Sequence, residues 1–115
     1  MNEYKNDIKV AVGGVEFVLR PTFGCVAAIE AETAKPLLKL AEEIGNNTIT
    51  AIEVKAIIKE GVKASKTFTG DEPIEQAIMT QGLASTAYAL IEFFNRVFYG
   101  APEEPQDEVK KSPVS

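Results

Sequence analysis

The side chains in this chain that can carry a proton or hold a metal are carboxylates, lysines and a single cysteine, because histidine is absent. Without imidazole, the commonest general base and metal ligand near neutral pH is missing. The carboxylates gather as Glu30 with Glu32, Glu42 with Glu43, and a C-terminal group of Glu103, Glu104, Asp107 and Glu108. None is spaced against a partner that would tune one carboxyl as an acid and another as a base, so solvated carboxylates are expected. No glycine-rich phosphate loop, nucleophile elbow or paired-cysteine metal spacing occurs. Cys25 stands in an apolar run and reads as a small buried hydrophobe. No residue is therefore assigned a catalytic, cofactor-binding or metal-binding role, and an enzyme is the least favoured reading.

Two features point instead to binding another protein. Lys55, Lys59 and Lys63 recur at i, i+4 and i+8 opposite an apolar stripe, and Lys66 follows. Like charges at that spacing repel mildly, so the ridge suits an acidic partner or the chain's own acidic end; the plainer alternative is a solvated face. The second feature is surplus aromatic surface near the C-terminal end. At about 100° per residue, Phe93 falls off the centre of the apolar stripe formed by Ala87, Leu90, Ile91, Phe94, Val97 and Phe98. Tyr88 and Tyr99 flank the other side. Exposed aromatics often anchor interfaces; the alternative is that neighbouring helices cover them. The expected partner-binding set is thus Phe93, Tyr88, Tyr99, Lys55, Lys59 and Lys63.

The elements that must position these residues are legible from spacing. Ile8, Val10 and Val12 alternate, as do Val15, Phe17 and Leu19, and Gly13-Gly14 separates the two runs. That pattern predicts a tight β-hairpin pairing Val12 with Val15. A two-stranded hairpin is marginal alone and needs helices over its apolar face. Thr22 is placed to cap a first helix over about Phe23 to Thr33, apolar nearly all round and so expected to be buried on several sides. Glu30 is the odd residue in it, expected to face solvent or accept a local hydrogen bond. Pro36 and Gly45 bracket a second helix with the stripe Leu37, Leu40, Ala41 and Ile44.

Thr50 with Glu53 predicts a capping box, and Ile49 with Val54 a hydrophobic staple, at the start of a third helix. Its stripe is Val54, Ile57, Ile58, Gly61 and Val62. A glycine mid-stripe costs about 1 kcal/mol against alanine, which implies close approach by another element. Thr69 or Asp71 is expected to cap a short fourth helix with Pro73 in its first turn. Gly82 is expected to break the run, and a last helix spans about Leu83 to Tyr99, ended by Gly100. The fold class is α+β: an N-terminal two-stranded β-hairpin packed on a bundle of four to five helices. Residues 1–100 read as one domain, and residues 101–115 as a disordered, acidic, proline-containing tail.

Composition narrows the partners. A net charge of −5 and a pI of about 4.8 argue against nucleic acid, which calls for a basic footprint. No apolar stretch is long enough to span a bilayer, and the opening residues are polar, which argues against a signal peptide. One cysteine allows no internal disulfide, which fits a reducing compartment.

The run Leu19-Arg20-Pro21-Thr22-Phe23-Gly24, followed by Ile29-Glu30-Ala31-Glu32-Thr33-Ala34-Lys35-Pro36-Leu37, resembles the opening of the gene-transfer-agent family of phage tail proteins. Ala34 stands where that family commonly has glycine. The capped helix from Thr50 and a final apolar helix ending at Gly100 also fit, so the likeness covers roughly Val10 to Gly100. The family is grouped with tail assembly chaperones and is also described as tail tube protein. The resemblance implies a non-enzymatic role in phage or prophage tail morphogenesis, in the cytoplasm of a bacterial host. The implied partners are a tape measure protein, tail tube subunits, or further copies of the chain. A structural tail tube subunit and an unrelated small adaptor or regulatory domain are the rival readings.

Overall fold

The computed structural model describes residues 6–101. The expected tail over 101–115 lies outside them except for its first residue, Ala101. The alternation at the start becomes β1 (Ile8–Val12) and β2 (Val15–Leu19), one antiparallel pair in which Val12 faces Val15, Val10 faces Phe17 and Ile8 faces Leu19. Gly13 and Gly14 carry φ of 58° and 83°, the left-handed pair that a two-residue hairpin turn needs. Ile8, Val10, Val12, Phe17 and Leu19 all point into the core, so the predicted register holds; Val15, beside the turn, is exposed.

Six helices follow among the described residues: α1 (Phe23–Thr33), α2 (Leu37–Gly45), α3 (Ala51–Ala64), α4 (Asp71–Gln81), α5 (Leu83–Ala89) and α6 (Ile91–Tyr99). The hairpin on a helical layer is the α+β arrangement expected. α3 is the central strut, packed against β2, α1, α4 and α5. Its predicted stripe of Val54, Ile57, Ile58, Gly61 and Val62 is wholly buried. Thr50 N–H donates to Glu53 Oε1 at 3.0 Å and Glu53 N–H donates to Thr50 Oγ1 at 3.2 Å, which completes the capping box. Gly61 lies under the hairpin: a Cβ there would sit 2.9 Å from Leu19 Cβ. Its carbonyl accepts from Arg20 N–H at 3.2 Å.

The motif from Leu19 to Leu37 is mostly scaffold. Arg20 forks onto both Asp7 oxygens, at 2.8 and 3.2 Å. Thr22 Oγ1 accepts from Cys25 N–H at 3.0 Å and caps α1. Pro36, at the N-cap of α2, has no capping side chain. Glu30 supplies one from the preceding helix, its Oε2 accepting from Leu37 N–H at 2.8 Å. Lys35 Nζ then ties α2 to α3, reaching Glu43 Oε2 at 2.8 Å and Glu53 Oε2 at 2.7 Å. Ala34 takes a left-handed φ of 59°, the conformation that glycine accepts at no steric cost.

Three expectations change. α1 is not enclosed: only Cys25 and Ile29 are buried, and Phe23 stands in solvent, because α1 leans on α3 along a single line. Burial pushes the Cys25 thiol up to about 12. The N-cap of α4 is Gly70 rather than Thr69 or Asp71, with Asp71 and Glu72 in the first turn, where the helix dipole favours their charge. The single last helix is two, because the chain tightens at Leu90, whose N–H bonds to Ala87 O at 3.0 Å, before α6 resumes.

Candidate functional site

The aromatic residues of α6 divide between core and surface differently from the expected stripe. Phe93, expected off the buried stripe, is fully buried and meets Phe94 edge-to-face at 5.9 Å between ring centroids. The inward line is Thr86, Ala87, Leu90, Phe93 and Phe94, at the i, i+1, i+4, i+7 and i+8 spacing of one helical face, so the buried face is turned toward Phe93 and away from Ile91 and Phe98. Phe93 is a core residue and not the exposed aromatic that was expected. Ile91 and Phe98, read from the sequence as core, are turned outward instead.

The outward turn creates a groove. α2 lends Leu38, Ala41, Ile44 and Gly45; α5 lends Tyr88; α6 lends Ile91, Phe94, Asn95, Phe98 and Tyr99. The hollow measures about 330 Å³. Phe94 is buried at its base, and Leu38, Tyr88, Ile91, Phe98 and Tyr99 remain exposed around it. Tyr88 Oη donates to Asn47 Oδ1 at 3.3 Å, which ties the ring to the loop after α2. Two of the expected residues, Tyr88 and Tyr99, are therefore brought to one face. Leu38, Ile91 and Phe98 were not foreseen there. Leu38 did carry a signal: it is a large apolar residue off the stripe of its own helix.

The lysine ridge is used inside the molecule. Lys55 Nζ reaches Glu75 at 2.5 Å and Asp71 at 3.8 Å, which clips α3 to α4. Lys59 Nζ reaches Glu32 at 2.7 Å and clips α3 to α1. Lys63 lies 5.2 Å from the centroid of the Phe68 ring. The hydrogen bond from Lys59 holds the Glu32 carboxyl below its usual range, while burial, reinforced by Glu32, raises Glu60. The hydrogen bond to Glu75 raises the Lys55 ammonium, and the one to Glu32 raises that of Lys59. A charged partner at this ridge would have to displace those pairs. It lies away from the groove, and none of the three lysines lines it.

A smaller hollow of about 250 Å³ lies between α3 and α4, lined by Ala51, Ile52, Lys55, Glu75, Ile78 and Met79. Among the described residues no group of three or more His, Cys, Asp or Glu side chains is placed to hold a metal ion. No helix among them is long and apolar enough to cross a membrane.

The chain matches the sequence model of a family described as Phage tail tube protein, GTA-gp10, over residues 5–100. No curated protein and no solved structure matches it.

Proposed function

The chain belongs to the GTA-gp10 family of phage tail tube proteins, and from that premise we propose that it serves tail morphogenesis as a non-enzymatic assembly chaperone. It captures a helical segment of the tape measure protein, or of a tail tube subunit before assembly, in the bacterial cytoplasm. The observation that carries this reading is the groove between α2 and α6, concave and without a charged residue in its lining. An amphipathic helix laid into such a groove buries its apolar face and keeps its polar face wet. A chaperone needs that surface in a small unassembled protein. Catalysis has no comparable support, for the closest carboxylate–lysine contacts, Lys35 with Glu53, Lys55 with Glu75 and Lys59 with Glu32, are ion pairs that tie elements together.

The family's description favours a second reading, in which the chain is itself a structural subunit of the tube. Tubes need head-to-tail contacts that repeat, and the groove would then be one half of such a contact.

Co-expression with the tape measure protein and with the tube protein separates these readings. The chaperone reading expects a soluble complex that Leu38→Glu and Ile91→Glu abolish while the melting temperature is retained. Capture that survives both substitutions overturns the groove as the site. Rings or tubes formed by the purified chain alone favour the structural reading.

A further inference from the structure

We infer that, before a partner arrives, two copies of this chain close the α2/α6 face against each other as a two-fold dimer. This rests on reading that face as a binding surface and names what covers it in the free protein.

Three observations carry the inference. The first is area. Leu38 is 62% exposed, Tyr88 50%, Ile91 42%, Phe98 40% and Tyr99 83%, all around one hollow. At roughly 200 Å² for a large side chain, they leave about 500 Å² of mainly apolar surface in water. Two such faces supply about 1,000 Å², the lower limit for a specific interface.

The second is shape. A two-fold contact requires one patch to complement itself. This face has a hollow of about 330 Å³ and, on its rim, the projecting Tyr99 and Leu38. The projections of one copy can fill the hollow of the other.

The third is charge. In a two-fold contact, residues near the axis meet their own kind, so a charge there meets a like charge. The lining holds aliphatic and aromatic residues, with Asn95 and the tyrosine hydroxyls as its polar groups. A net charge of −5 on each chain would oppose association, yet the lining of this hollow carries none of it; Glu92 and Arg96 lie beyond, in an adjoining hollow that shares Asn95 and Tyr99. The smaller α3/α4 hollow lacks that property, because Lys55 and Glu75 line it.

The test is light scattering after size exclusion, over a range of concentration and salt. The expected mass rises with concentration from 12.5 kDa toward twice that value. Added salt should favour the dimer, since it screens the repulsion between like-charged chains. Leu38→Glu should hold the mass at that of one chain at every concentration. Tyr99→Ser, at an exposed helix end where folding is not at risk, should at least weaken the dimer. A wild-type chain that stays monomeric overturns the inference, as does a dimer unaffected by either substitution. Masses that run on to rings or open polymers overturn the two-fold closure. Capture of the tape measure protein is scored in parallel. Capture without a dimer sinks this inference alone, whereas a dimer without capture sinks the chaperone reading.

Discussion

Gly61→Ala should destabilise this protein, although an alanine in mid-helix normally helps. Helix propensity alone favours the substitution by about 1 kcal/mol. Against it stands β2. A Cβ at this position would lie 2.8 Å from Leu19 Cδ2, 2.9 Å from Leu19 Cβ and 3.2 Å from Leu19 Cα. The methyl end can swing, but Cβ and Cα move only if the strand moves. Leu19 is fully buried, so displacing it disturbs the packing around it. Overpacking of this kind costs about 1–3 kcal/mol. Lifting the strand also stretches the bond from Arg20 N–H to Gly61 O, which is 3.2 Å already, and a hydrogen bond contributes about 0.5–1.5 kcal/mol. The net expectation is a loss of about 1–3 kcal/mol. At about 4–8 °C per kcal/mol for a domain of this size, the melting temperature falls by roughly 5–20 °C. Thermal and urea unfolding followed by far-UV circular dichroism measure it. Gly45→Ala is the matched control, because a Cβ at the end of α2 meets nothing within 4 Å; it should hold or raise stability. A Gly61→Ala protein as stable as wild type, with an unchanged urea slope, would refute the close approach of β2 to α3.

Other consequences can be measured on the same instrument. Ala34→Gly should stabilise by about 0.5–1 kcal/mol, because Ala34 pays for its left-handed φ of 59°; a loss of stability would contradict that. Phe93→Ala should cost about 3–5 kcal/mol as a large cavity opens in the core, and a neutral result would place Phe93 outside it. Burial tends to raise the Glu53 carboxyl, but hydrogen bonds from Lys35 and Thr50 outweigh it and hold it below its usual range. A carboxyl lowered on folding stabilises above its unfolded value, and that stability is lost as pH falls through the folded value. Lys35→Met should therefore make acid unfolding begin at a higher pH, and an unchanged acid midpoint would show that the Lys35 contacts contribute nothing.

What could be read directly was whatever neighbours in sequence settle between themselves. Alternation set the faces of β1 and β2, and Gly13-Gly14 set their register, because the side-chain period of a strand is two and the turn admits few residues. The capping box of α3 and its stripe followed from contacts within one turn of helix. Gly61 announced that something came close without saying what. Even the motif that pointed to the family proved to be largely local carpentry: a cap at Thr22, a borrowed cap at Glu30, and the tie from Lys35 to two carboxylates.

Tertiary structure decided which apolar surface stayed in water. Phe93 and Phe98 both suit a helix interior by type, and packing chose the face that buries Phe93 and leaves Phe98 exposed. The stripe with Phe93 and the stripe with Ile91 and Phe98 share Ala87, Leu90 and Phe94, so spacing alone does not choose between them. α1 was apolar enough to be buried and stayed at the surface, because burial depends on how many neighbours reach a helix. The lysine ridge was visible as a row of charges, yet Glu32, Asp71 and Glu75, which answer it, come from helices distant in sequence. Composition and local spacing determined a hairpin and a helical layer. The groove existed only once α2 was laid beside α6, since a groove belongs to the space between elements and to no single segment of the chain.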